Sequence, residues 1–163
     1  MVTIRRAGPP DITAFMEIER QPGFEHLVGR SSAEFHARVI DDTDYAYLAG
    51  LTDDGAIAGI AILRDLENPQ GNILLKRLAV LTPGSGFGKP FLREVIGWVF
   101  TNTPAHRLWL DHIITNDRAR HVYEQSGFVR EGVFRQAYEL PDGSRTDLAV
   151  MSILRPEWLA RQR

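Results

Sequence analysis

The feature that most constrains this chain is an apolar run, Asn72–Val80, that passes through Pro83-Gly84-Ser85-Gly86-Phe87-Gly88-Lys89 into Phe87, Phe91, Leu92, Val95, Ile96, Val99 and Phe100. A short continuous apolar run bounded by turn residues is the pattern of a strand buried on both faces. The second set recurs at three- and four-residue intervals, which is the pattern of a helix packed along one side. Pro90 suits that helix's first turn, where its missing N–H costs nothing. A strand, a glycine turn and a helix at the centre of the chain demand a sheet with helices laid against it. The turn also has a chemistry. The first amides of a helix are unpaired and lie at the positive end of its dipole, and glycines let a bulky anion approach the main chain. Lys89 adds a mobile positive charge beside them.

The flanking segments extend this unit in both directions. Val2–Arg6 suits a short strand, and Pro9-Pro10 opens a helix through Ile12, Phe15, Met16, Ile18 and Glu19, spaced to bury one face, before Pro22-Gly23 stops it. Ser31-Ser32-Ala33-Glu34 is a capping-box pattern for a second helix, with the Ser31 hydroxyl as the expected cap. Tyr45–Thr52 and Ala56–Leu66 read as a hairpin around Asp53-Asp54-Gly55, because Asp and Gly tolerate positive φ. Beyond the central helix, His106–Ile113 is a strand, and Asn116–Ser126 is a helix capped by Asn116 and closed by Gly127. Phe128–Leu140 and Arg145–Leu154 form a last hairpin around Pro141-Asp142-Gly143, with Arg135 and Asp147 expected as an ion pair or loop anchor. The order is β-α-α-β-β-β-α-β-α-β-β, which predicts a mixed α/β sheet with helices on both faces.

Composition removes several classes of function. A length of 163 residues without repeats or linkers predicts one domain, residues 1–163. No apolar run approaches the ~20 residues of a membrane helix, and the N-terminus lacks a signal peptide's apolar core, so a cytoplasmic protein with no membrane partner is expected. A net charge of −2 gives no basic face for nucleic acid. With no cysteine, disulfides, thiolate zinc sites and a cysteine nucleophile are excluded. His26, His36, His106, His112 and His121 show no metal-ligand spacing, so no metal is expected and the histidines read as surface or packing residues.

Two common phosphate ligands fit the turn poorly. A dinucleotide fingerprint needs a third glycine where Phe91 stands, and a nucleoside-triphosphate loop needs glycine and Ser/Thr where Pro83 and Pro90 stand. A third pattern fits better. Arg77-Leu78-Ala79-Val80, then Gly86-Phe87-Gly88, a helix, a strand, and Asn116-Asp117-Arg118-Ala119-Arg120-His121-Val122-Tyr123-Glu124-Gln125-Ser126-Gly127-Phe128 resemble the GNAT superfamily of N-acetyltransferases. Gly132-Val133-Phe134-Arg135, Gly143, Asp147 and the closing Met151-Ser152-Ile153-Leu154 resemble its ribosomal-protein N-terminal acetyltransferase branch. The chain departs from the family at Pro83, where Arg or Gln is usual, and in a shorter loop from Val80 to Gly86.

The resemblance implies a GNAT-type fold, a mixed, mostly antiparallel sheet of about seven strands flanked by four helices. It implies acetyl-CoA as co-substrate and direct transfer to a primary amine, either a protein N-terminal α-amine or a small-molecule amine. The main chain of Leu78, Ala79 and Val80 would meet the pantetheine arm, and the amides of Ser85, Gly86, Phe87, Gly88 and Lys89 the pyrophosphate. Asn116, in the motif shared with Ala119, would also bond the arm, and Tyr123 would protonate the departing thiolate.

No glutamate stands on the fourth strand where family members often keep a base, leaving Asp111, His112, Asp65, Glu67 or a water relay. At pH 7 an α-amine of pKa ~8 is neutral about a tenth of the time, whereas a lysine near ~10.4 costs about 4–5 kcal/mol to deprotonate. A site with no obvious base therefore favours an α-amine or another low-pKa amine. Acceptor contacts are expected around Glu17, Glu19, Phe24, Glu25, His26, Leu27 and Val28, beside the reading of that stretch as a solvated face. A non-catalytic acyl-CoA sensor or scaffold and a nucleotide-dependent transferase remain rival readings. A homodimer is left open, with no pattern for or against it.

Overall fold

The computed structural model describes all of residues 1–163. Seven strands form one sheet in the order β1-β2-β3-β4-β5-β7-β6: β1 Thr3–Arg6, β2 Tyr45–Leu51, β3 Ile57–Arg64, β4 Asn72–Val80, β5 Arg107–Ile113, β6 Val129–Glu139 and β7 Arg145–Leu154. α1 Ile12–Glu19, entered through the 3-10 turn Pro9–Asp11, and α2 Ala33–Val39 cover one face. α3 Gly88–Asn102 and α4 Asp117–Gln125 cover the other. The larger core, 19 buried residues including Leu48, Leu63, Phe91, Val95, Leu108 and Met151, lies under α3 and α4, against 10 under α1 and α2.

A fifth helix, α5 Arg155–Ala160, adds to the four expected. Pro156 sits in its first turn, and the Glu157 carboxylate accepts from the Leu154 amide at 2.9 Å. Arg155 donates to the carbonyls of Phe100, Thr103 and Ala105 at 2.7, 2.8 and 2.7 Å, satisfying acceptors at and just beyond the C-terminal end of α3. A second correction concerns α2. Its cap is Ser32, whose hydroxyl accepts from the Phe35 amide at 3.1 Å, because the Ser31 hydroxyl is taken by Arg77 at 3.0 Å. Of the two readings of Arg135 and Asp147, the ion pair is absent and Asp147 is an anchor. Asp147 accepts instead from the amide of Gln136 at 2.8 Å, pinning a β6 bulge in which Gln136 holds φ +50°.

Two irregularities position everything that follows. β4 and β5 are the sheet's one parallel pair, and they pair only through Asn72–Leu74 against Arg107–Trp109. Beyond that point they part, leaving β4 from Leu75 onward and β5 from Leu110 onward without each other. The second irregularity is a bulge in β4: Ile62 faces Arg77 and Leu63 faces Leu75, so Lys76 is an extra residue. Because strand side chains alternate, one extra residue exchanges the faces. Ile73 and Leu75 face the α3 side before the bulge, and Leu78 and Val80 face it afterwards. Arg77 and Ala79 are thereby turned toward α1 and α2.

Candidate active site

The parting of β4 from β5 opens a cleft whose β4 wall is bare main chain. The Leu81 amide donates to the Ala58 carbonyl at 2.8 Å, in register with the β3–β4 ladder. Antiparallel bonding alternates, so the main-chain groups of Ala79 are committed to β3, while those of Leu78 and Val80 point into the cleft. An unpaired amide and carbonyl two residues apart can bond an extended amide-containing ligand as a further strand. One of these groups is in use: the Gln21 side-chain amide donates to the Val80 carbonyl at 3.2 Å.

The glycine turn closes one end of the cleft. Gly84 and Gly86 hold φ of +83° and +85°, a region that strains other residues. Phe87 anchors the turn, its ring 5.7 Å from that of Phe91, and both rings lie over the cross-strand pair Gly50 and Gly59. A Cβ at either glycine would come within 2.8 Å of Phe91, so the two glycines form the dent that seats both rings. Gly88 and Lys89 supply the opening amides of α3. The Ser85 hydroxyl accepts a long bond, 3.4 Å, from the Phe87 amide. Lys89 reaches Gln125 on α4 at 3.2 Å. Arg118, absent from the sequence-level candidates, lies across the turn, its Nη2 3.2 Å from where a Cβ of Gly84 would be. Nothing local in the sequence announces it, since the contact joins α4 to a loop more than thirty residues earlier.

The far wall comes from β5 and α4. Asn116 caps α4, its Oδ1 accepting from the Ala119 amide at 3.1 Å, which leaves its NH₂ uncommitted. Tyr123 is buried, its ring 5.8 Å from His112 and 5.7 Å from Phe128. Desolvation, and then the nearby Asp111 charge, push its phenol up to about 12, so near neutrality it is a proton donor. His112 is also buried. Its Nδ1 lies 2.9 Å from the Ile113 carbonyl, which can only accept, so Nδ1 carries the hydrogen. Its Nε2 has no partner in the chain.

Asp111, on the opposite face of β5, is open to solvent on its outer side yet sufficiently surrounded that desolvation raises its carboxyl above the ordinary range. The other sequence candidates for a base lie elsewhere. Asp65 and Glu67 stand in the β3–β4 connection at the closed end of the cleft, where Asp65 pairs with Arg64 and Glu67 accepts from Thr43.

The acceptor candidates divide. Phe24 and Val28 pack on the smaller core, Leu27 is exposed, and Glu25 accepts from the Gly23 amide at 2.8 Å. Glu19 is no surface residue: it is fully buried, bonded to Arg77 at 2.7 Å and paired with His36 at 3.1 Å. Its spacing from Ile12, Phe15 and Met16 places it on the buried face of α1, and its distant partners make burial of the charge tolerable.

An open cleft between two parting parallel strands, with a glycine turn at a helix N-terminus and a phenol opposite, defines an acyl-group transferase that grips an extended thioester carrier. Residues 12–128 match the acetyltransferase (GNAT) family, and the chain belongs to it. It is an acetyl-CoA-dependent N-acetyltransferase. Among relatives, the spermidine N(1)-acetyltransferase of Vibrio cholerae serotype O1 is 31% identical over 78 residues, 48% of this chain and 44% of that protein. The Bacillus subtilis protein described as "Putative ribosomal N-acetyltransferase YdaF" is 28% identical over 96% of this chain and 93% of its own length. The fold is shared with the Vibrio cholerae spermidine N-acetyltransferase solved with CoA and spermine, at a TM-score of 0.83 and 20% identity over 97% of this chain and 98% of that one. No helix of the chain is long and apolar enough to cross a membrane.

Proposed function

We propose that this chain acetylates a primary amine of low pKa, an α-amine before a lysine-type amine, in the cleft where β4 and β5 part. One observation carries the reading: the parting leaves the main chain of Leu78 and the amide of Val80 unpaired by any strand, across the cleft from the proton-donating phenol of Tyr123 and the carboxylate of Asp111. Acetyl-CoA supplies the activated acetyl group. Leu78 and Val80 would hold its pantetheine arm, with the free NH₂ of Asn116 on the other side. The amides of Gly86, Gly88 and Lys89, with the Arg118 and Lys89 side chains, would hold the pyrophosphate. A groove lined by Lys89, Arg93 and Arg161 adjoins the turn and offers further cations to the remaining phosphate.

Asp111 is the first acid past the parting point, on the α1–α2 face where the acceptor enters. Its raised pKa makes it a stronger base than an ordinary carboxylate, enough for an amine already partly neutral but not for one near ~10.4. As the amine attacks, a cleft-facing amide of β4 can bond the oxygen that gains charge, and Tyr123 donates toward the departing sulfur. A panel of an N-terminal peptide, a lysine peptide and spermidine, followed by thiol release, tests the reading. The peptide α-amine is expected to be fastest. A faster lysine or spermidine reaction would overturn the acceptor class, and release with none of them would favour a CoA-binding module.

A further inference from the structure

The segment between α1 and α2, residues 20–32, holds neither helix nor strand, yet it is fastened to β4 at both ends. Gln21 bonds the Val80 carbonyl near its start. Near its end the Arg77 Nη1 donates to the Ser31 hydroxyl at 3.0 Å and to the Glu19 carboxylate at 2.7 Å. The same carboxylate accepts from the Ser31 amide at 3.3 Å, from Arg20 at 3.2 Å and from Nε2 of His36, and the Nδ1 of that ring lies 2.7 Å from the Tyr47 hydroxyl. Gly29 passes so close that a Cβ there would lie 2.7 Å from Arg77 Nη2. The segment thus lies along β4 at the edge of the cleft, on the α1–α2 face, where it would roof an acceptor bound beside Asp111.

Two features show that Arg77 is not there for stability alone. Its Nε is buried without a partner, which opposes folding. A buried ion pair can often be replaced by apolar residues without loss. Arg77 also points toward the segment only because the Lys76 bulge reverses the alternation of β4; a regular strand would send it into the α3 core with Ile73 and Leu75.

We propose that Arg77 is a positioning residue for the amine acceptor: it fixes the roof of the acceptor site to the strand whose amides face the acetyl donor. The role rests on the acetyl-transfer reading above, and one arm of its test does not. Gly29→Ala and Ser31→Ala disturb the tie without removing the buried Glu19–Arg77 pair. Both are expected to raise the acceptor KM about fivefold, with kcat and the acetyl-CoA KM changed by less than about twofold. Arg77→Lys, which can hold Glu19 but lacks the fork to hold Ser31 as well, should fall between them and the wild type.

Independently of any acceptor, hydrogen exchange should quicken at the amides of Phe24, Leu27 and Val28, which bond within the segment, and stay unchanged in β2 and β3. Unchanged exchange at those three amides together with an unchanged acceptor KM would overturn the proposal. So would exchange that quickens equally across β2 and β3, the mark of a general stability role. If the wild type acetylates no amine, the acetyl-transfer reading fails, and the exchange measurement still decides whether Arg77 holds the segment.

Discussion

Tyr123, Asp111 and His112 show how a residue's chemistry is set by its address. All three are ordinary titratable side chains, yet one phenol is pushed to about 12, one carboxyl is raised by desolvation, and one imidazole keeps a buried, unpartnered nitrogen. Tyr123→Phe removes only the proton donor; kcat is expected to fall about 100-fold or more, with acetyl-CoA binding within about twofold of wild type. Turnover equal to wild type would remove Tyr123 from the chemistry. Asp111 acts as a base only when ionised, and its pKa is raised, so activity should fall on acidification through a limb lying above the ordinary ~3.9 of aspartate. Asp111→Asn should abolish that limb and lower the plateau, as kcat/KM against pH would record. A limb that survives the substitution belongs to another group.

At the scale of elements, the site is a matter of how helices begin and how one strand ends its pairing. Asn116 caps α4 and is proposed to hold the pantetheine arm, two roles that substitution can separate. Asn116→Ala loses the cap of α4 and should cost about 1 kcal/mol of stability. Asn116→Asp keeps an accepting oxygen for the Ala119 amide but lacks the NH₂ group. If that group holds the pantetheine arm, calorimetry will find weaker acetyl-CoA binding in both variants, while thermal melts find lower stability only in the alanine one. Affinity preserved in Asn116→Asp would reduce Asn116 to a cap. The glycine turn behaves similarly: its positive-φ glycines shape the loop, but its placement depends on Phe87 and Phe91 sitting over Gly50 and Gly59, two strands away.

Across the whole molecule, a ligand bound in the cleft would tie β4, the glycine turn and α4 together, so it should raise global stability. Acetyl-CoA at 100 times its dissociation constant contributes about 2.7 kcal/mol, or about 5–10 °C in melting temperature for a domain of this size. ATP and NAD should leave the melt unchanged. A response to either nucleotide, or none to acetyl-CoA, would contradict the assignment of the glycine turn.

Much of this architecture was legible beforehand because it is local. Strand and helix periodicity, the Asp53-Asp54-Gly55 hairpin, the Asn116 cap and the Gly127 stop are encoded within a few residues of where they act. So the sequence by itself determined the element order, the glycine turn at a helix start and the α4 motif that pointed to the family. α5 escaped notice because its helix is short and its strongest anchor, Arg155, serves the end of α3. The tertiary structure alone decided the rest: where β4 leaves β5, the bulge at Lys76 that sends Arg77 toward α1, the partners that pair the buried Glu19 and the reach of Arg118 over the turn. Each depends on a partner many residues away, and no local periodicity can report whether a charge will be paired, or a strand edge left open, until the sheet has closed around it.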